Sequence, residues 1–273
     1  MKKYISPGSW FAFSYPENWH EFQDSEENGF LFYNPDVWSG NFRISAALDA
    51  SPHFAEEAMH DELCQYANAR KVTINNRHFI YSFESFEEEG RHYTSHFWVT
   101  GERNMVVYCS FTMDEKGKLE EAEALLSTLQ ILNLKKPCLH EIIPVRLMEV
   151  ALINEAYECA LKTVKQELKR DFSSSTIETS IELLQKLADK GVKTVKDFEV
   201  TGLVLGCFLV DDIDGVEWVT VIDKTREYPA LLYTASSTLQ LNESRKHIVD
   251  PVALVRSCKE KKLKDIYEKL REQ

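Results

Sequence analysis

The first half of the chain is written in short aromatic and β-branched runs, each closed by a residue that cannot extend a strand. Trp10 to Tyr15 stops at Pro16, which has no amide hydrogen for a ladder. Phe30 to Tyr33 stops at Asn34-Pro35, and Phe42 to Leu48 follows. Ser51-Pro52 then reads as an N-cap with proline in the first turn, opening a helix over about 52–69 with Ala55, Met59, Leu63 and Tyr66 on one face. His78 to Phe86 and His92 to Val99 form a hairpin, and Asn104 to Thr112 is a further strand beyond Gly101. Asp114 caps a closing helix to about Leu132, with Leu119, Ala122, Leu125, Leu126 and Leu129 as its stripe. Strands, helix, three strands, helix is the signature of an α+β domain with helices covering a mainly antiparallel sheet.

A composition break follows. Residues 133–143 read as a linker, dividing a domain at 1–133 from one at 144–273. The second opens with a helix over Val145–Arg170, its stripe running Met148, Leu152, Ala156, Ala160, Val164. Ser175 with Glu178 forms a capping box for the next helix, which reaches Asp189. Thr194 to Val210 has strand composition at its end, but Gly202 and Gly206 sit four apart, as a closely packed helix requires; helix is the preferred reading and strand the alternative. Strands follow at Glu217–Ile222, Ala230–Ala235 and near Leu239–Leu241. Asp250-Pro251 opens another helix, and Leu263, Ile266, Tyr267 and Leu270 mark an amphipathic one within 259–273. The fold class is α+β in both halves, the second a set of helices followed by a small antiparallel sheet.

Charge limits function. The chain carries a formal net charge of −12. Residues 1–137 hold 12 Lys and Arg against 21 Asp and Glu, and 138–273 hold 20 against 23. An acidic surface lacks the cations that displace counterions from nucleic acid, and it repels anionic lipid. No run approaches the ~20 apolar residues of a membrane span. Lys2 and Lys3 precede Ser6, Pro7 and Gly8 where an export signal would be apolar, so the expected compartment is the cytoplasm. Cys64, Cys109, Cys138, Cys159, Cys207 and Cys258 form no CxxC pair, and neither a disulfide framework nor a zinc module follows from them.

Candidate chemistry is sparse. His92 and His96 share a strand face. A three-residue loop pairing Phe86 with Gly90 would bring His78 to that face, whereas a four-residue loop pairing Phe86 with Arg91 would send it to the other; three imidazoles together could bind zinc. Glu56, His60 and Cys64 are spaced i, i+4, i+8 on a helix, off its apolar stripe, in an acidic setting that disfavours a thiolate. Asp211 to Gly215 resembles a calcium loop, but the register places Val210 and Val221 where oxygen ligands belong, so it reads as an acidic turn. No phosphate loop, GxSxG elbow or HExxH helix is present. No cofactor, metal site or catalytic residue is expected, and the chain reads as a non-enzyme. Trp19 and Trp38 lie in turn-like acidic surroundings and are candidates for an exposed surface that binds a basic or apolar polypeptide. The alternative is a hydrolase or metal-binding protein using the His92/His96 face.

Two resemblances sharpen this. Phe11-Ala12-Phe13 leading into Tyr15-Pro16-Glu17-Asn18-Trp19, with the element order to residue 133, resembles the PsbP-like domains. That superfamily includes a Ran-binding nuclear import factor and bacterial adaptor and lipoprotein relatives. The resemblance implies a mostly non-catalytic binding protein (adaptor, chaperone-like or immunity-type) and carries no functional residue across. The second half is similar to a bacterial domain of unknown function at Gly202, Leu205, Gly206, Gly215, Trp218-Val219-Thr220-Val221, Asp223, Pro229-Ala230-Leu231 and Asp250-Pro251. Together the halves resemble an uncharacterised two-domain bacterial family.

Overall fold

A computed structural model describes residues 1–24, 29–132, 140–172, 175–191, 195–234, 247–257 and 262–271. The chain divides into two compact units, Met1–Leu139 and His140–Gln273. The fold is α+β, with a large sheet in the N-terminal part and a small one in the C-terminal part.

The first unit runs β1 (Lys2–Ile5), β2 (Phe11–Tyr15), β3 (His20–Gln23), β4 (Phe30–Tyr33), β5 (Asn41–Leu48), α1 (Phe54–Gln65), β6 (Arg70–Ile74), β7 (Arg77–Glu88), β8 (Arg91–Glu102), β9 (Met105–Asp114), α2 (Leu119–Ser127) and β10 (Gln130–Ile131). Seven strands form one antiparallel sheet in the order β3-β4-β5-β9-β8-β7-β6. The remaining three form a second sheet, β1-β2-β10.

Alternation assigns the faces of the large sheet. Phe32, Phe42, Ile44, Phe79, Tyr81, Trp98, Val107, Cys109 and Phe111 point inward, against Tyr4, Phe11 and Phe13 of the β1-β2-β10 sheet and Ala122, Leu125 and Leu126 of α2. Val99 and Val106 point the other way, onto Ala55, Phe54, Ala58 and Met59 of α1. The two helices therefore cover opposite faces. Gly101 lets α1 approach: a Cβ there would lie 2.7 Å from that of Ala55 and 2.6 Å from the Met105 carbonyl.

Both helices are shorter than their apolar stripes suggest. Ser51-Pro52 forms a turn rather than the first helical residues; the Phe54 amide donates to the Ser51 carbonyl at 3.3 Å and α1 starts there. Asp114 caps a turn instead of α2, accepting the Lys116 amide at 2.8 Å. The stripe residue Leu129 is buried after α2 has ended, because Gln130–Ile131 pairs with β2 as β10.

The second unit runs β11 (Glu141–Pro144), α3 (Leu147–Leu168), α4 (Ile177–Gly191), α5 (Val195–Asp212), β12 (Val216–Ile222), β13 (Glu227–Tyr233), β14 (His247–Val249), α6 (Pro251–Ser257) and α7 (Leu263–Arg271). Its sheet is antiparallel, β11-β12-β13-β14. The expected linker thus ends in a strand: Glu141–Pro144 pairs with Ile222–Val219, while 133–139 lies outside the described residues. The strand expected near Leu239–Leu241 lies outside them too. Thr194–Val210 falls largely within α5, and its glycines are contact points. A Cβ on Gly202 would lie 2.6 Å from the Val252 Cα of α6, and Gly206 faces the Trp218 ring. In α3, Ala156, Ala160 and Val164 are buried, but Met148 and Leu152 are exposed and Glu149 and Ile153 take the inward positions. A strict i+4 row drifts about 40° per step around a helix, so the stripe leaves the core at its start. Among the described residues no helix is long and apolar enough to cross a membrane.

Candidate functional site

The β7–β8 hairpin is the longest feature of the first unit, with twelve residues in each arm. Its two-residue turn, Glu89-Gly90, has φ of 52° and 76° and pairs Glu88 with Arg91. Positive φ at both central positions is the turn that matches strand twist. This register fixes the histidines. His92 and His96 share the inner face and His78 sits on the outer one, where Thr73 Oγ1 lies 3.0 Å from its Nδ1. On a strand, positions four apart are about 13 Å apart, so His92 and His96 cannot hold one ion together. No group of three His, Cys, Asp or Glu suited to a metal occurs among the described residues.

The hairpin outruns its neighbours. β6 covers β7 only from Arg77 to Tyr81, and β9 covers β8 only to Tyr93. Among the described residues the edge of β7 from Ser82 to Glu88 pairs with no strand, although Asn68 Nδ2 donates to the Phe83 carbonyl at 2.6 Å. Phe83 and Phe86 are exposed here.

At this end lies a cleft of about 530 Å³ lined by Phe86, Tyr93, Glu87, His92, Asp114 and Glu115, among others. Phe86 and Tyr93 are cross-strand partners with ring centroids 5.6 Å apart. Trp38 meets Tyr93 edge-on at 6.3 Å and donates from Nε1 to Asn41 Oδ1 at 2.7 Å. Trp38 is 38% exposed. Glu84, Glu88 and Glu89 add negative charge along the hairpin, and His92 Nδ1 lies 4.0 Å from Glu87. The site is an aromatic ledge set in carboxylates, able to hold a cationic side chain by charge and by ring faces.

Trp19 takes no part in it. The Trp19 amide donates to the Pro16 carbonyl at 3.1 Å, and the turn delivers the indole into the core, 3% exposed and stacked on Phe111 at 6.4 Å. Its expected exposure is corrected: the proline–tryptophan turn is a packing device. His96 is also interior. Its Nδ1 lies 2.8 Å from the Tyr81 hydroxyl, its Nε2 has no hydrogen-bond partner among the described residues, and burial pulls its pKa below the usual histidine value. The exposed His60 and Cys64 are in contact at 3.7 Å, while Glu56 reaches His53 instead at 3.4 Å. Burial pushes the Cys207 thiol up to about 12 and Cys109 further, so neither ionises near neutrality.

One arrangement had no sequence signal. Arg146, 1% exposed, bonds Glu149 through Nε at 3.0 Å and Glu227 through Nη2 at 2.9 Å, and its amide donates to Thr220 Oγ1 at 3.3 Å. Burial opposes the guanidinium charge, but the two carboxylates outweigh it and raise its pKa. Residues 146 and 227 are 81 apart in sequence, and an Arg–Glu pair at i, i+3 ordinarily reads as a solvated helix start.

Comparison with known proteins bears on the fold. A family described as Domain of unknown function (DUF3805) matches residues 1–154, and Domain of unknown function (DUF3806) matches 180–265. A crystal structure at 1.50 Å resolution from Bacteroides thetaiotaomicron VPI-5482 is 38% identical over 98% of this chain and 97% of that one, with a TM-score of 0.88. Weak, partial likenesses extend to cyanobacterial PsbP from Synechocystis sp. PCC 6803 (12% identity, 48% of this chain and 92% of that one, TM-score 0.27). LpqN, involved in cell envelope biogenesis of Mycobacterium tuberculosis, is similar at 14% identity over 45% of this chain and 83% of its own, TM-score 0.30. No protein of curated function matches.

Proposed function

The chain belongs to the DUF3805 family of domains of unknown function, and from that premise we propose that it is a non-catalytic, cytoplasmic binding module whose first unit takes a basic polypeptide segment at the turn end of the β7–β8 hairpin. The observation that supports this reading is the cleft in which Phe86 and Tyr93 are flanked by Glu87, Asp114 and Glu115. The carboxylates draw in a lysine or arginine, and the ring faces hold it while covering its aliphatic stem. The uncovered edge of β7 offers backbone donors and acceptors to an extended segment, so register comes from the main chain and selectivity from the cleft. The surplus of acidic residues in the first half speeds the encounter and makes it salt-sensitive.

The test is titration of a fluorescein-labelled Lys/Arg-rich peptide, with an acidic peptide of equal length as control. The basic peptide should bind and the acidic one should not. F86A and E87Q should each weaken binding several-fold. Equal binding of both peptides, or no effect of either substitution, contradicts the proposal.

A further inference from the structure

We propose that a second cleft of the first unit, between the β6–β7 turn and the C-terminal end of α2, binds a small organic carboxylate with an apolar body, anchored by Arg77. This inference does not rest on the hairpin cleft. The cavity measures about 800 Å³, within the range of small-molecule sites, and Ile74, Asn76, Arg77, Leu126, Leu129 and Gln130 are among its walls.

Strand parity aims the anchor. Phe79 and Tyr81 of β7 point inward beneath α2, and Arg77, two residues earlier, shares their face. Its cross-strand partner is Ile74, itself packed on the core. Arg77 is partly buried, yet it forms no side-chain hydrogen bond or ion pair with any described residue. Burial lowers its pKa, and the Glu102 charge opposes this without pairing. A half-desolvated guanidinium with its donors unused is a fork for a carboxylate.

The surroundings suit that ligand. The negative end of α2 would repel an anion, but its carbonyls are engaged: Leu125 by the Thr128 amide at 3.0 Å, Leu126 by the Leu129 amide at 3.1 Å, and Ser127 by Asn75 Nδ2 at 2.6 Å. The last bond fastens the Asn75-Asn76 turn, with φ of 45° and 64°, to the helix end, so the walls are held before a ligand arrives. Met59, Ile74, Leu126 and Leu129 are the apolar members of a mixed lining, and a hydrocarbon body would lie against them where a bare inorganic anion could not use them.

Octanoate is the probe, with acetate and octanol as controls lacking the body and the charge. Amide chemical-shift mapping of the full chain should show octanoate moving residues 74–78 and 126–130, with each control at least about tenfold weaker. R77Q should weaken octanoate about tenfold or more, while E102Q, which removes a repelling charge, should tighten it. Should R77Q fail to fold, E102Q still decides. Unmoved amides, octanol or acetate binding as well as octanoate, unchanged affinity in R77Q, or unchanged or weaker affinity in E102Q would each overturn the proposal.

Discussion

Three side chains carry separable consequences. Trp19 and Trp38 occupy similar acidic turns but opposite environments, 3% and 38% exposed. W19A should cost about 3–5 kcal/mol through the cavity it leaves against Phe111, and W38A well under that, by chemical denaturation. Similar costs would contradict the burial assignment. His96 links stability to pH. Its folded pKa lies below the ordinary value of 6.5, so below about that pH the unfolded chain takes up a proton that the folded chain resists. Its contribution is therefore full above that pH and declines as pH falls toward the folded pKa. Comparing the chain with H96Q, which retains a partner for the Tyr81 hydroxyl, the stability difference should move in favour of H96Q from about pH 7.5 to about pH 5.5. A difference independent of pH would contradict this. The role of Trp19 was hidden in the sequence for a physical reason. Pro16-Glu17-Asn18 marks a turn, but composition cannot tell whether the residue leaving it points out or in.

Among elements, α5 and the hairpin differ most in how far they could be read. The spacing of Gly202 and Gly206 favours a helix where composition alone allows a strand, because a close helix contact needs small residues on one face, and α5 is that helix. G202A should gain up to about 1 kcal/mol in helix propensity and lose more through the clash with Val252, a net cost of about 1–2 kcal/mol in denaturation. A stabilised variant would contradict the packing. The hairpin was legible as two strands but its register was open, since Glu89 adopts a left-handed conformation that glutamate rarely supplies. Loop length decided whether Phe86 and Tyr93 meet, and with them the ledge that Trp38 completes. The Arg146 cluster shows the same limit at longer range. It joins the start of α3 to β13, and no local pattern links the two. R146M should cost about 3–5 kcal/mol, because Glu149 and Glu227 lose the buried guanidinium that bonds them both. A loss below about 1 kcal/mol would contradict the pairing.

At the scale of the whole chain, sequence and structure agree on α+β architecture because periodicity, turn residues and caps act locally, while both clefts depend on register and on strand ends that only the assembled sheet brings together. The charge distribution joins architecture to function. Most of the net −12 lies in the first half, and the hairpin concentrates it beside exposed aromatic rings. The decisive measurement is the affinity of the labelled Lys/Arg-rich peptide for the full chain and for F86A at about 0.05 M and about 0.5 M salt, over which charge screening tightens several-fold in strength. The account predicts saturable binding at low salt that weakens at least about tenfold at high salt, with F86A weaker at both. Binding that ignores salt, or F86A binding as tightly as the native chain, would contradict it.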